Sequence, residues 1–151
     1  MAMQKFTIGT VLAVAAVIVV VAVVTAGLLV TSRTIPNSGA MQTIGVNVYW
    51  DSACTNLTTS IPWGTLDSNS SKSYTVYVKN NGTGAEVLSM TTASWIPTAA
   101  ATYITLSWNR ENYTLSHGSY VAAVLTLTVS PSIANITSFS FDITITGTES
   151  A

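Results

Sequence analysis

Charge is what this chain has least of: Asp, Glu, Lys and Arg make up 7% of its 151 residues, against roughly 25% in an ordinary soluble protein. After Arg33 the only cations are Lys72, Lys79 and Arg110, set against Asp51, Asp67, Glu86, Glu111, Asp142 and Glu149. Without a basic patch, the counterion release that drives nucleic-acid binding has no source, and no nucleic-acid partner is expected. A single cysteine, Cys54, excludes an intrachain disulfide and leaves the domain to be held by packing. With Asp51 rather than a cation nearby, Cys54 reads as an ordinary loop thiol. The single histidine, His117, sits between Ser116 and Gly118 in a turn-like stretch, far short of a zinc site or a nucleophile triad. No helical periodicity follows residue 31, so no glycine-rich phosphate loop opens onto a helix. The carboxylates are scattered and read as solvated, with Asp142 on the wet face of its strand. The chain is therefore expected to have no catalytic residues, metal or cofactor, and no small-molecule substrate is identified.

What is abundant divides the chain in two. From Ile8 to Val30 there is no charge, and nearly every residue is Val, Ala, Leu or Ile, with Lys5 before the run and Arg33 after it. As a helix this run would cover about 34 Å, enough to cross a hydrocarbon core of about 30 Å. Residues 1–30 are accordingly expected to be a single-pass transmembrane anchor, with the positive-inside bias placing the rest of the chain outside the cell. The alternative is a cleaved signal peptide, for which Val24-Thr25-Ala26 before Gly27 offers small residues. The apolar run continues through Leu28-Leu29-Val30, which favours the anchor.

Residues 31–42, with Pro36 and Asn37-Ser38-Gly39, read as a stalk. From residue 43 onwards, apolar residues recur with period two: Ile44, Val46, Val48, Trp50; Tyr74, Val76, Val78; Leu88, Met90; Ile104, Leu106, Trp108; Val121 to Val129; and Phe139 to Ile145. A shorter run at Ile61 to Leu66 makes about seven strands, separated by turns such as Asn80-Asn81-Gly82 and Ser116-His117-Gly118. The expected fold is all-β, an antiparallel two-sheet sandwich over 43–151. The tail 31–42 alternates poorly and is interrupted by Pro36 and Gly39, so it reads as a weak donor for strand exchange, and 43–151 is expected to form a complete sandwich.

The stretch from Gly64 through Asp67-Ser68-Asn69-Ser70 and Tyr74-Thr75-Val76-Tyr77-Val78 to Asn80-Asn81-Gly82 resembles the turn, strand and turn of immunoglobulin-like surface domains. Leu115-Ser116-His117-Gly118-Ser119 with Val121 to Val129, and Ile136 to Gly147, resemble the closing strands of the same domains. With the apolar segment and stalk, the chain is similar to small archaeal cell-surface proteins with an N-terminal anchor. A helix over about 6–30 leading directly into a β-head also resembles archaeal type IV pilins and archaellins. Pilin leaders place a small residue before the cleavage point, whereas Lys5 is followed at once by Phe6.

Two sets of residues are candidate sites. Five Asn-X-Ser/Thr sequons, at Asn56, Asn69, Asn81, Asn112 and Asn135, lie in or beside expected turns and are candidate N-glycosylation sites. Chance supplies part of that number in a chain rich in Ser and Thr. Of the tryptophans, Trp50 and Trp108 share the parity of buried faces. Trp63, between Pro62 and Gly64, and Trp95, before Ile96-Pro97, lie near expected turns and are the candidate contact surface.

These features point to a non-enzymatic cell-surface glycoprotein that displays a sandwich for envelope structure or adhesion. Its expected partners are the membrane, through residues 8–30, and other envelope proteins or copies of itself. The alternatives are a subunit of an extracellular filament, pilin-like or thread-like, and, with least support, a wall-directed sugar-binding or hydrolytic module.

Overall fold

The computed structural model describes residues 35–150, which belong to one compact unit, Arg33–Ala151. The expected membrane-crossing segment, residues 8–30, lies outside the described residues. Among the described residues, no helix is long and apolar enough to cross a membrane.

The described chain is β-structure in two sheets. Its elements in order are β1 (Ile35–Ile44), β2 (Val46–Tyr49), β3 (Ser60–Leu66), β4 (Ser71–Asn80), β5 (Glu86–Ile96), α1 (Ala100–Tyr103), β6 (Ile104–Trp108), β7 (Thr114–Leu115), β8 (Tyr120–Val129) and β9 (Phe139–Glu149). One sheet runs β3-β1-β9-β5-β7 and the other β2-β4-β8-β6. Alternation along each strand turns one set of side chains inward. Ala123, Leu125, Leu127 and Val129 of β8 and Phe139, Phe141, Ile143 and Ile145 of β9 are all buried, as their parity requires. They join Val46, Val48, Val76, Val78 and Leu88 in one core between the sheets. The two-sheet sandwich is thus the observed architecture.

The boundary at residue 43 is corrected. From Ile35 the expected stalk is strand β1, which lies inside a sheet: it pairs antiparallel with β3 on one side and parallel with β9 on the other. The turn-like residues do not prevent this. Pro36 precedes the β9 pairing, which begins at Asn37, so β1 is flanked there by β3 alone, an edge position that tolerates proline, and Gly39 is buried against the core. A Cβ at Gly39 would stand 3.0 Å from Ile143 Cδ1 and 3.4 Å from Trp63 Nε1. Residues 43–151 are accordingly an incomplete sandwich, because without β1 the sheet parts between β3 and β9. The β1–β9 pairing also makes this sheet mixed, not purely antiparallel.

The apparent single run from Ile44 to Trp50 is cut at Gly45, whose φ of +76° lets the chain leave β1 in one sheet and enter β2 in the other within one residue. A Cβ there would stand 2.6 Å from the Gly147 carbonyl oxygen. Ile44, expected to share the buried face of Val46 and Val48, is 58% exposed as a result.

Candidate functional site

The five sequon asparagines fall on five different connections: Asn56 between β2 and β3, Asn69 between β3 and β4, Asn81 between β4 and β5, Asn112 between β6 and β7, and Asn135 between β8 and β9. All five are exposed. Asn69, Asn112 and Asn135 hold φ of 59°, 58° and 60°, a left-handed conformation that asparagine tolerates better than most side chains. The third residues Ser71, Thr83, Thr114 and Thr137 are also exposed, whereas Thr58, which completes the Asn56 sequon, is 3% exposed.

The Asn56 loop is held by one carboxylate. Asp51 accepts hydrogen bonds from the Asn56 backbone N–H at 2.7 Å, from the Thr55 hydroxyl at 2.7 Å and from the Thr55 backbone N–H at 3.1 Å. These donors, the Asn56 N–H foremost, favour the ionised form and hold Asp51 below its ordinary pKa of 3.8. Asn80, beside the Asn81 sequon, is fully buried. Its side-chain amide donates to the carbonyls of Gly84 (2.8 Å) and Leu115 (2.9 Å), and its oxygen accepts from the Gly82 N–H at 2.8 Å. The His117 ring Nδ1 meets the Gly82 carbonyl oxygen across the same loop.

The tryptophans divide differently from the expectation. Trp63 is fully buried and is no contact surface. Strand β3 passes straight through Pro62, tolerated because β3 is an edge strand, and turns Ile61, Trp63 and Leu66 inward. The Trp63 ring packs edge-on against Tyr74 with centroids 5.3 Å apart. The Tyr74 hydroxyl and Lys72 ammonium donate to the carbonyls of Pro62 (2.7 Å) and Trp63 (2.6 Å). Trp95 is half-buried: a register shift in β5 lays its ring on Phe141, with centroids 4.2 Å apart and planes 6° apart. Beside it Ile96 is 67% exposed, so this edge alone retains the apolar exposure expected of both positions. Trp50 and Trp108 pack at the core margin.

Glu86 is a second correction, being 7% exposed rather than solvated. A side chain at Gly45, Gly82 or Gly147 would run into its carboxylate. Its position in register with Leu88 is the signal that marked it as inward-facing. Among the described residues, no three His, Cys, Asp or Glu side chains gather where they could hold a metal.

The seat of β1 holds groups that nothing in the sequence singled out. Asn37 Nδ2 and Oδ1 and the Trp63 indole Nε1 are buried without hydrogen-bond partners among the described residues. Each such atom costs about 1–3 kcal/mol in lost hydration. Here β1 is pinned by backbone pairing on both sides, yet these three polar atoms at its seat find no partner among the described residues.

No family model, curated protein or solved structure matches the chain. Its functional reading comes from its own residues.

Proposed function

We propose that the protein is a non-enzymatic cell-surface glycoprotein, in which residues 8–30 anchor an extracellular immunoglobulin-like sandwich serving envelope structure or adhesion. One observation carries the reading: five sequons stand exposed on five separate connections of a domain whose surface has few charges to keep it soluble. Glycans on those connections would supply the missing hydration without touching either inner face.

The immunoglobulin-like assignment draws on strand order. The sheet β2-β4-β8-β6 corresponds to strands A-B-E-D of that fold, and the adjacent β9 and β5 correspond to F and C. The place beside F that the last strand would take is filled by β1, from the other end of the domain. Trp95 and Ile96 offer an aromatic and apolar edge suited to a protein contact.

Antibody raised against residues 35–150 should label intact cells of the native organism, and the full-length chain should remain with their membranes. Labelling only after the cells are lysed would overturn the reading.

A further inference from the structure

We propose that β1 is an exchangeable strand, and that copies of this chain associate when β1 of one copy seats between β3 and β9 of another. The exchange goes beyond the surface reading and follows from topology. Here β1 is interior: it is the sole sheet neighbour of β3 and one of the two neighbours of β9. When β1 leaves, Trp63 and Ile143 lose their cover at Gly39, and two rows of backbone N–H and C=O groups open to a new partner.

Two observations bear on how readily β1 leaves. The first is the hinge. A single residue, Gly45, carries the chain from β1 in one sheet to β2 in the other at a positive φ, where an added Cβ would stand 2.6 Å from the Gly147 carbonyl oxygen. Short hinges held in tight conformations invite exchange, because an extended hinge relieves the constraint while the strand makes the same contacts in a neighbour. The second is the set of polar atoms left without partners at the seat, among the described residues. Releasing β1 returns Asn37 Nδ2 and Oδ1 and the Trp63 indole N–H to water, which lowers the cost of opening.

A second copy is the occupant because it brings a strand of the same sequence. Such a strand has the glycine needed over Trp63 and Ile143 and the same pairing along Asn37–Ile44. Exchange in both directions closes a dimer, and exchange in one direction repeats as an open chain.

The test uses disulfide trapping of the full-length chain in detergent, with Cys54→Ser as background. Ser38 and Ser140 are register partners on β1 and β9, so they share a face and lie at a spacing that a disulfide can bridge. Two differently tagged variants, Ser38→Cys and Ser140→Cys, are unfolded together, refolded together and oxidised. The expected result is a mixed disulfide-linked species at least several-fold more abundant than that from Ser38→Cys with Thr144→Cys, which is out of register. The double variant Ser38→Cys/Ser140→Cys, carrying both thiols on one chain, shows that the strand seats and the thiols can react. If the double variant closes its disulfide within single chains only, and the mixed pair links no better than the out-of-register pair, exchange is overturned. That outcome leaves the surface reading intact, since it involves neither glycan nor cell localisation.

Discussion

Gly39 packs against Trp63 and Ile143: a Cβ at that position would stand 3.4 Å from Trp63 Nε1 and 3.0 Å from Ile143 Cδ1. A strand that looks like a stalk is thereby the cover of the largest side chain in the core.

Gly39→Val places a branched side chain where the Cβ alone would already stand 3.0 Å from Ile143 Cδ1. Overpacking of this kind costs about 1–3 kcal/mol. Denaturant unfolding of the variant should shift to a lower midpoint by that amount, with Trp63 emission moving to longer wavelength as β1 lifts. An unchanged midpoint would show that β1 does not sit against Trp63.

Asn80→Ala removes three hydrogen bonds that join the Asn80–Gly84 loop to itself and to β7. At about 1 kcal/mol for each bond, with the stranded carbonyls adding to it, the expected loss is about 2–4 kcal/mol. Thermal or denaturant melts of the wild-type and variant chains measure it directly. The neighbouring Asn81 is exposed, and Asn81→Ala should leave stability within about 0.5 kcal/mol.

The Asp51 loop should loosen in acid. Its folded pKa lies below the ordinary 3.8, through bonds from the Asn56 N–H and the Thr55 hydroxyl. The contribution of Asp51 is therefore present above the unfolded value and is lost as pH falls through the folded one. Amide exchange at Thr55 and Asn56 should accelerate as pH drops below about 4, beyond the intrinsic pH dependence of exchange. Asp51→Asn should show fast exchange at those amides at neutral pH.

The strands legible from alternation, such as β8 and β9, have one dry face and one wet one, so their pattern records their burial. Strand β1 has no such record. Its residues Asn37-Ser38-Gly39 are turn formers, and they become a strand because β3 and β9 offer partners on both sides, which no local signal states. Two-residue β7 is too short to alternate. Trp63 was hidden by its flanking Pro62 and Gly64, although Ile61 two residues earlier carries the same inward parity, and an edge strand accommodates proline. Glu86 shows the reverse case: its parity with Leu88 pointed inward, while its charge suggested water. The placement of the sequon asparagines on connections is legible locally, and at Asn69, Asn112 and Asn135 the left-handed backbone is one that asparagine tolerates.

Peptide mass spectrometry of the protein isolated from its native organism decides whether this is a glycosylated surface domain. Glycan is predicted on at least two of Asn56, Asn69, Asn81, Asn112 and Asn135, with the lowest occupancy at Asn56, whose Thr58 is buried once the domain folds. Five unmodified sequons in that material would mean that the domain is not a glycoprotein.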